Sequence, residues 1–491
     1  MVEVLQIETP TLGDRSYLVH DGETALVIDP QRDIDRVLAL AAEAGVRVTH
    51  VAETHVHNDY VTGGFALARA AHASYLVNAD DPVSFHRTPV SDDDLVEIGG
   101  GMRVRVLATP GHTYSHLAYV VEAGGGVAGV FTGGSLLYGS TGRTDLLGPA
   151  AAKALSHAQW ASAHRLAREL PDTAPIFPTH GFGSFCAAGQ SQAAVSSTIG
   201  REKQFNPALT LDEQAYVESL LAGLDAWPAY YAHMAPANLA GPADIDLSPP
   251  RPANAAELRR RIEAGEWVVD LRDRVAFAAG YVPGTFSFPL DGSFATYIGW
   301  MIPWGMPLTL LGDSPEQVAV AQRELARIGI DRPAAAATGR PEAWAGERGV
   351  AALRLATFGD LATAFADGGG HRPVVLDVRR RLEWEEGHIA GAVHVPLHEL
   401  ADRLDELADG PAEQPVRPDR RPGRPNEPPG RPDEPPGRRA EASPGEVWVH
   451  CGAGYRSMVA ASILAARGRR VVSVNDDFAN AAAAGLPLEP A

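Results

Sequence analysis

Over the first two hundred or so residues, short β-branched and aliphatic runs alternate with polar, turn-rich stretches, the pattern of strands joined by loops. Residues 24–28, 47–52, 103–108, 127–132 and 174–177 are the runs that predict strands. The residues just past the end of each run are more informative. Asp29 comes after the first, His55, His57 and Asp59 after the second, and His112 after the third; Gly133 and Gly134 come after the fourth, and His180 after the fifth. Ligand-type residues that recur just past strand ends converge on one rim of a sheet, where metals and substrates sit in layered α/β folds.

Pro249, Pro250 and Pro252 mark a linker. After it, 253–264 has a helical period and 267–271 reads as a strand carrying Asp270. The same events recur: 358–365 is helical, 374–378 is a strand carrying Asp377, and 385–391 leads into 393–397. Val-Asp-Leu-Arg with Gly-Tyr-Val-Pro-Gly-Thr in the first stretch aligns with Leu-Asp-Val-Arg and Gly-His-Ile-Ala-Gly-Ala in the second. This is a tandem duplication of an α/β unit of roughly a hundred residues. The second copy is interrupted at 411–444, where Gly-Arg-Pro-Asn-Glu-Pro-Pro is followed by Gly-Arg-Pro-Asp-Glu-Pro-Pro. A stretch so poor in apolar residues cannot bury enough surface to order itself, so a solvated, partly polyproline-like insert is expected there. The expected domains are 1–235, 250–345 and 351–491.

Composition narrows the setting. A chain of 491 residues is too long for one ordinary core, and 45% hydrophobic with 21% charged residues is the mixture of a soluble globular protein. A net charge of −19 argues against nucleic acid as a partner, because nothing offers a continuous basic face to phosphates. The uncharged stretch 292–311 is long enough to cross a bilayer, but Gly299, Pro303, Gly305 and Pro307 interrupt it. It reads as buried loop and strand, and no membrane partner is expected. No basic and then apolar leader opens the sequence, and the two cysteines, Cys186 and Cys451, lie far apart. That excludes a disulfide-stapled secreted fold and makes a reducing cytoplasm the expected compartment.

The segment Thr-His-Val-His-Asn-Asp-Tyr at 54–60 sets two histidines and a carboxylate on a tight loop. Alternation by two lets His55 and His57 face one centre while Asp59 approaches a second position. His112 in Thr-Pro-Gly-His and His180 in Pro-Thr-His-Gly bring the imidazoles to four, a donor set that suits iron or zinc. These motifs resemble the metallo-β-lactamase superfamily, and within it the persulfide dioxygenases. The resemblance is carried also by Val-Ile-Asp-Pro at 27–30, Gly-Arg-Thr-Asp at 142–145 and His-Gly-Phe-Gly-Ser-Phe-Cys at 180–186. It implies an α/β fold with an N-terminal αββα sandwich and a single metal, Fe(II) with Zn(II) as the alternative. In the family, that iron is held by the residues matching His55 and His112 together with an aspartate, and it oxidises the terminal sulfur of a glutathione-type persulfide. Here the aspartate position is Gly134, and Tyr60 stands where the superfamily has a third motif histidine. Three arrangements stay open: His57 completes a three-histidine site, Asp59 swings in, or catalysis is impaired. Restoring the carboxylate with Gly134→Asp is expected to raise metal occupancy or oxygenation. Cys186 is expected to touch substrate or relay sulfur, against a reading as apolar filler. Arg143 is expected to hold the carboxylate of an anionic thiol, against a reading as a salt bridge.

Near the C-terminus a strand at 447–450 runs into Cys451-Gly-Ala-Gly-Tyr-Arg456-Ser457, and 458–466 is helical. A cysteine between a strand end and a helix start faces backbone N–H groups, and Arg456 adds a fixed cation, so a nucleophilic thiolate is expected. This loop, with the Asp-Val-Arg and Gly-His-Ile-Ala-Gly-Ala segments, resembles the rhodanese active site. Four residues separate Cys451 from Arg456, where related cysteine phosphatases have five. The shorter loop suits a persulfide sulfur better than a phosphoryl group. In the first copy 308–311 runs into Gly312-Asp313-Ser314 with no cysteine, so that copy is expected to be a spacer or docking surface. The sequence therefore reads as a persulfide dioxygenase-like domain followed by two rhodanese-like α/β domains. Its partners would be small-molecule thiols and persulfides, with homo-oligomerisation left open. The competing readings are a hydroxyacylglutathione hydrolase-like thioester hydrolase and a non-catalytic metal domain supporting a sulfurtransferase.

Overall fold

The alternation in the N-terminal part builds two six-stranded sheets in the computed structural model, which describes residues 2–181, 183–188, 195–367, 373–404 and 445–490. The first sheet runs in order through β1 (Glu3–Thr9), β2 (Asp14–His20), β3 (Thr24–Ile28), β4 (Arg47–Ala52), β5 (Ser74–Asn78) and β6 (Thr88–Val90). Its first three strands are antiparallel, and β3 to β6 are parallel. The second sheet comprises β7 (Leu95–Gly99), β8 (Met102–Ala108), β9 (Leu117–Ala123), β10 (Gly126–Gly133), β12 (Pro175–Pro178) and β14 (Ser197–Thr198), with the ribbon β11 (Thr141–Gly142) and β13 (Ala187–Ala188) beside it. Five of these strands are the five read from hydrophobic runs, displaced by no more than a residue or so at their ends.

The inner faces of the two sheets close on one apolar layer that includes Tyr17, Val19, Leu26 and Ile28 from the first and Val104, Val106, Tyr119 and Phe131 from the second. The outer face of the first sheet packs Val27, Val48 and Val51 on helices α1 (Asp35–Glu43) and α2 (Gly64–Ala71). The outer face of the second sheet packs Val120, Val130 and Ile176 on α3 (Pro149–Glu169) and on helix Glu213–Ala222. This is the expected αββα sandwich. Tyr17, Phe131 and Phe177 form an aromatic knot with ring centroids 5.0–5.4 Å apart, and the Tyr17 hydroxyl donates to the Pro178 carbonyl at 2.6 Å. A core side chain thus pins the end of β12 two residues before His180.

The chain forms two compact units, Met1–Asp273 with Phe288–Glu347, and Arg274–Ser287 with Arg348–Ala491. Within the first, parallel strands Trp267–Asp270, Leu308–Gly312 and Ala335–Thr338 lie in that order. Within the second, a parallel sheet runs Arg354–Ala356, Val471–Val474, Val447–His450, Val374–Asp377, Val393–His394. The two stretches share an ion pair as well as a strand order. Arg272 folds back on Asp270 with Nη2 to Oδ2 at 2.7 Å, and Arg379 does the same on Asp377 at 2.7 Å. That shared pairing supports the proposed duplication. The stretch 292–311 forms helix Phe294–Met301 and leads into strand Leu308–Gly312, and no helix among the described residues is long and apolar enough to cross a membrane. The Pro/Arg-rich insert 411–444 lies outside the described residues.

Candidate metal centre and sulfur-transfer loop

Three strand ends deliver the metal-type residues. The turn after β4 carries His55, the loop after β8 carries His112, and the loop after β12 carries His180; all three side chains are buried. Their ring nitrogens lie within 4.8 Å of one another, and Nε2 of His55 stands 3.4 Å from Nε2 of His180. That spacing matches the edge of a tetrahedron whose corners lie about 2.1 Å from its centre, the ordinary metal–imidazole distance.

The opposite nitrogen of each ring is spoken for. His55 Nδ1 donates to Thr54 Oγ1 at 2.9 Å, because the Thr54 hydroxyl proton is already given to Asp29 at 2.7 Å. His112 Nδ1 donates to the Arg143 carbonyl at 2.7 Å. His180 Nδ1 faces Asp14 at 3.0 Å and Asp59 at 3.2 Å. Partners of this kind fix the tautomer that turns the Nε2 lone pair toward a metal. His112 Nε2 is buried with no hydrogen-bond partner, which is costly unless a ligand satisfies it. The donor set fits a metal ion.

Burial and the neighbouring imidazoles hold His55 far below its usual range, and burial pushes His112 down to about 3, so both rings stay neutral, the form a ligand requires. At His180 burial opposes protonation, but Asp59 and Asp14 outweigh it and raise the ring to about 9 in the metal-free chain. A cation arriving at Nε2 would take over that role and displace the proton.

His57 does not join the three. Its Nε2 stands 3.2 Å from Glu53 and 3.3 Å from Asp29, and 2.9 Å from the Tyr60 hydroxyl, whose ring stacks on the imidazole at 4.3 Å. Burial works against its charge, but Asp29 and Glu53 prevail and raise it to about 10. His55, His112 and His180 thus bring their ring nitrogens together, while His57 is engaged by Glu53 and Asp29, and Asp59 lies against Nδ1 of His180. His57, Asp59 and His180 nonetheless make a second cluster of three within 4.8 Å, so Asp59 sits behind the site.

Gly134 lies where the family aspartate was expected. A Cβ on it would fall 2.4 Å from Cδ2 of His112, so the imidazole fills the space that a carboxylate would need. The expected gain from Gly134→Asp therefore requires the His112 ring to move aside. Arg143 also differs from expectation. It is buried, grips Asp145 through Nε at 2.7 Å and Nη2 at 2.8 Å, and donates to the Phe185 and Asp225 carbonyls at 3.1 and 2.7 Å. The guanidinium ties its own loop to the Phe185 and Asp225 segments, while the Arg143 carbonyl holds His112. Cys186 is buried as well. Burial, with Asp59 and Asp14, raises its thiol well above the usual range, which favours the protonated form.

Reading the sequence missed Asp14, Glu53 and His116. His116 Nδ1 donates to Thr109 Oγ1 at 2.8 Å, its Nε2 accepts the Gly134 N–H at 2.9 Å, and its ring stacks on His55 at 4.9 Å. Its spacing of four from His112 was a readable signal. Asp14 and Glu53 sit in no motif, and only the fold reveals them.

In the second unit Cys451 follows strand Val447–His450, and the Gly454 N–H donates to its sulfur at 3.2 Å. Gly454 has φ +97°, a conformation that lets the peptide turn inward at no steric cost. Arg456 caps the loop through a bidentate pair with Glu383 at 2.5 and 2.7 Å. Burial opposes the Glu383 charge, but Arg456 and Arg380 outweigh it and hold the carboxyl down at about 2. In the first copy the equivalent turn holds no cysteine, and Ser314 instead caps helix Pro315–Arg327 by accepting from Gln317 N at 3.3 Å.

A metallo-β-lactamase superfamily model matches residues 12–180, and a rhodanese-like domain model matches 358–484. The human mitochondrial persulfide dioxygenase ETHE1 is 29% identical over 216 residues, 43% of this chain and 78% of that protein. A hydroxyacylglutathione hydrolase from Maricaulis maris is also 29% identical, over 247 residues, 44% of this chain and 90% of that protein. A solved metallo-β-lactamase from Staphylococcus aureus, 28% identical with a TM-score of 0.62, covers 69% of this chain and 99% of its own. The chain is a fusion of a metallo-β-lactamase-superfamily domain, with persulfide dioxygenase homologues, and a C-terminal rhodanese-like domain.

Proposed function

We propose that the chain oxidises and transfers the sulfane sulfur of low-molecular-weight persulfides, of glutathione type or similar, as a persulfide dioxygenase-like and sulfurtransferase fusion. His55, His112 and His180 hold one metal, with Fe(II) as the expected ion and Zn(II) as the alternative. Iron would supply redox chemistry with dioxygen, and zinc would supply Lewis acidity. The chain's own contribution is to keep His55 and His112 neutral by burial and to orient His180 through Asp14 and Asp59. The observation that carries the one-metal reading is the engagement of His57 by Asp29 and Glu53, which withdraws a ligand from a second metal position.

In the second unit the Cys451 thiolate attacks the sulfane sulfur of a donor such as thiosulfate. The donor S–S bond breaks, sulfite leaves with the electron pair, and Cys451 holds the persulfide for a thiolate or cyanide acceptor. Hydrolysis of a glutathione thioester is the second reading. It is favoured by the His57, Asp59 and His180 cluster, which could accept a second ion. Bound-metal analysis with oxygen uptake on glutathione persulfide separates the two. Iron with oxygen uptake supports the first, two zinc ions with thioester turnover support the second, and neither activity leaves the metal domain a support for the sulfurtransferase.

A further inference from the structure

The helix Arg274–Ala279 belongs by sequence to the cysteine-free copy, yet the segment Arg274–Ser287 is part of the compact unit that contains Cys451. Phe277, Ala278 and Tyr281 pack on Met458, and Leu353 N donates to the Ala278 carbonyl at 2.9 Å, so the segment is firmly seated. Arg274, one turn before Phe277, sends Nε to Asn475 Oδ1 at 2.5 Å and Nη2 to the Ala453 carbonyl at 3.4 Å. Ala453 and Gly454 share a peptide group. Its carbonyl accepts from Arg274, while its N–H donates to Cys451 Sγ at 3.2 Å. A Cβ on Gly454 would lie 2.5 Å from Asn475 Oδ1 and 3.2 Å from Arg274 Nε, so the pair also encloses the left-handed turn.

The geometry points to Arg274 as a positioning residue for sulfur transfer, acting through the 453–454 peptide. A cation on the carbonyl strengthens the N–H at the other end of the same peptide and opposes the flip that would turn the carbonyl toward sulfur. The loop's own arginine does a different job, since Arg456 is paired with Glu383. The cysteine-free copy is then more than a spacer, because it lends a residue to the reacting loop. This inference rests on Cys451 being the sulfur carrier.

Full-length Arg274→Met and Arg274→Lys proteins test it. Steady-state thiosulfate:cyanide transfer would be measured with the pH profile of Cys451 alkylation by iodoacetamide, followed on the Cys451 peptide by mass spectrometry. Arg274→Met is expected to lower kcat about ten-fold, about 1.4 kcal/mol. Its KM for thiosulfate stays within about two-fold on the same scale, the alkylation profile moves to higher pH, and Arg274→Lys recovers most of both. If Arg274→Met does not fold, Arg274→Gln carries the comparison. An unchanged kcat and pH profile in the Met variant overturns the assignment. So does a Lys variant as impaired as the Met variant with an equal loss of melting temperature, since that marks a packing role alone. Wild-type protein that forms no persulfide on Cys451 from thiosulfate would instead remove the parent reading.

Discussion

At Gly134 the place of a side chain is taken by the ring of His112. Gly134→Asp is therefore expected to displace that imidazole and lower bound metal, as read by metal analysis of the purified protein; a rise would show that the loop can open to admit a carboxylate. Cys451→Ser is expected to abolish thiosulfate:cyanide transfer with metal content unchanged, and retained transfer would take Cys451 out of the chemistry. His450, immediately before it, is buried beside Phe358 and Phe478, and burial pushes it down to about 4. The unfolded chain takes up this proton near pH 6.5 and the folded one only near pH 4, so its contribution is full above pH 6.5 and is lost as pH falls toward 4. The loss is on the order of 3 kcal/mol. Denaturation at pH 7 and pH 4.5 should show His450→Phe losing less stability on acidification than wild type, and equal losses would assign the acid sensitivity elsewhere.

Strands and loops show how far a linear pattern carries. The run 24–28 was legible because both faces of that strand are largely buried and its hydrophobicity is nearly continuous, and 47–52 because β-branched and apolar residues at 48, 49, 51 and 52 end abruptly at the ligand-bearing turn. The ribbon of β11 and β13, two residues each, was not legible, yet it joins the Arg143 loop to the Cys186 loop. That pairing is why Arg143 looked available for substrate and is in fact enclosed: its partners Phe185 and Asp225 are distant in sequence and meet it only in the fold. Arg143→Met should cost about 3 kcal/mol, since it strands the partly buried Asp145 and frees two loops. The measurement is a denaturant titration alongside the KM for a thiol substrate. A stable variant with a raised KM would return Arg143 to the substrate.

At the scale of the molecule, the αββα sandwich followed from the family resemblance that the His-x-His-x-Asp and neighbouring motifs carry, and the repeated Asp-x-Arg segments pointed to a duplication, because such motifs recur over whole segments. The composition of the metal site could not be read that way, because ligand choice turns on which nitrogen faces inward. His57 and His180 are alike in sequence, and they differ in their carboxylate neighbours: Glu53 and Asp29 bind Nε2 of the first, while Asp14 and Asp59 bind Nδ1 of the second and leave its Nε2 to the metal side. The central claim is therefore that one ion is held by His55, His112 and His180 and that His57 serves the surrounding ion pairs. Metal stoichiometry of His180→Ala beside His57→Gln tests it most directly. The account predicts about one equivalent of metal in the His57→Gln protein, as in wild type, and almost none in His180→Ala. Loss of metal from His57→Gln with retention in His180→Ala would contradict it.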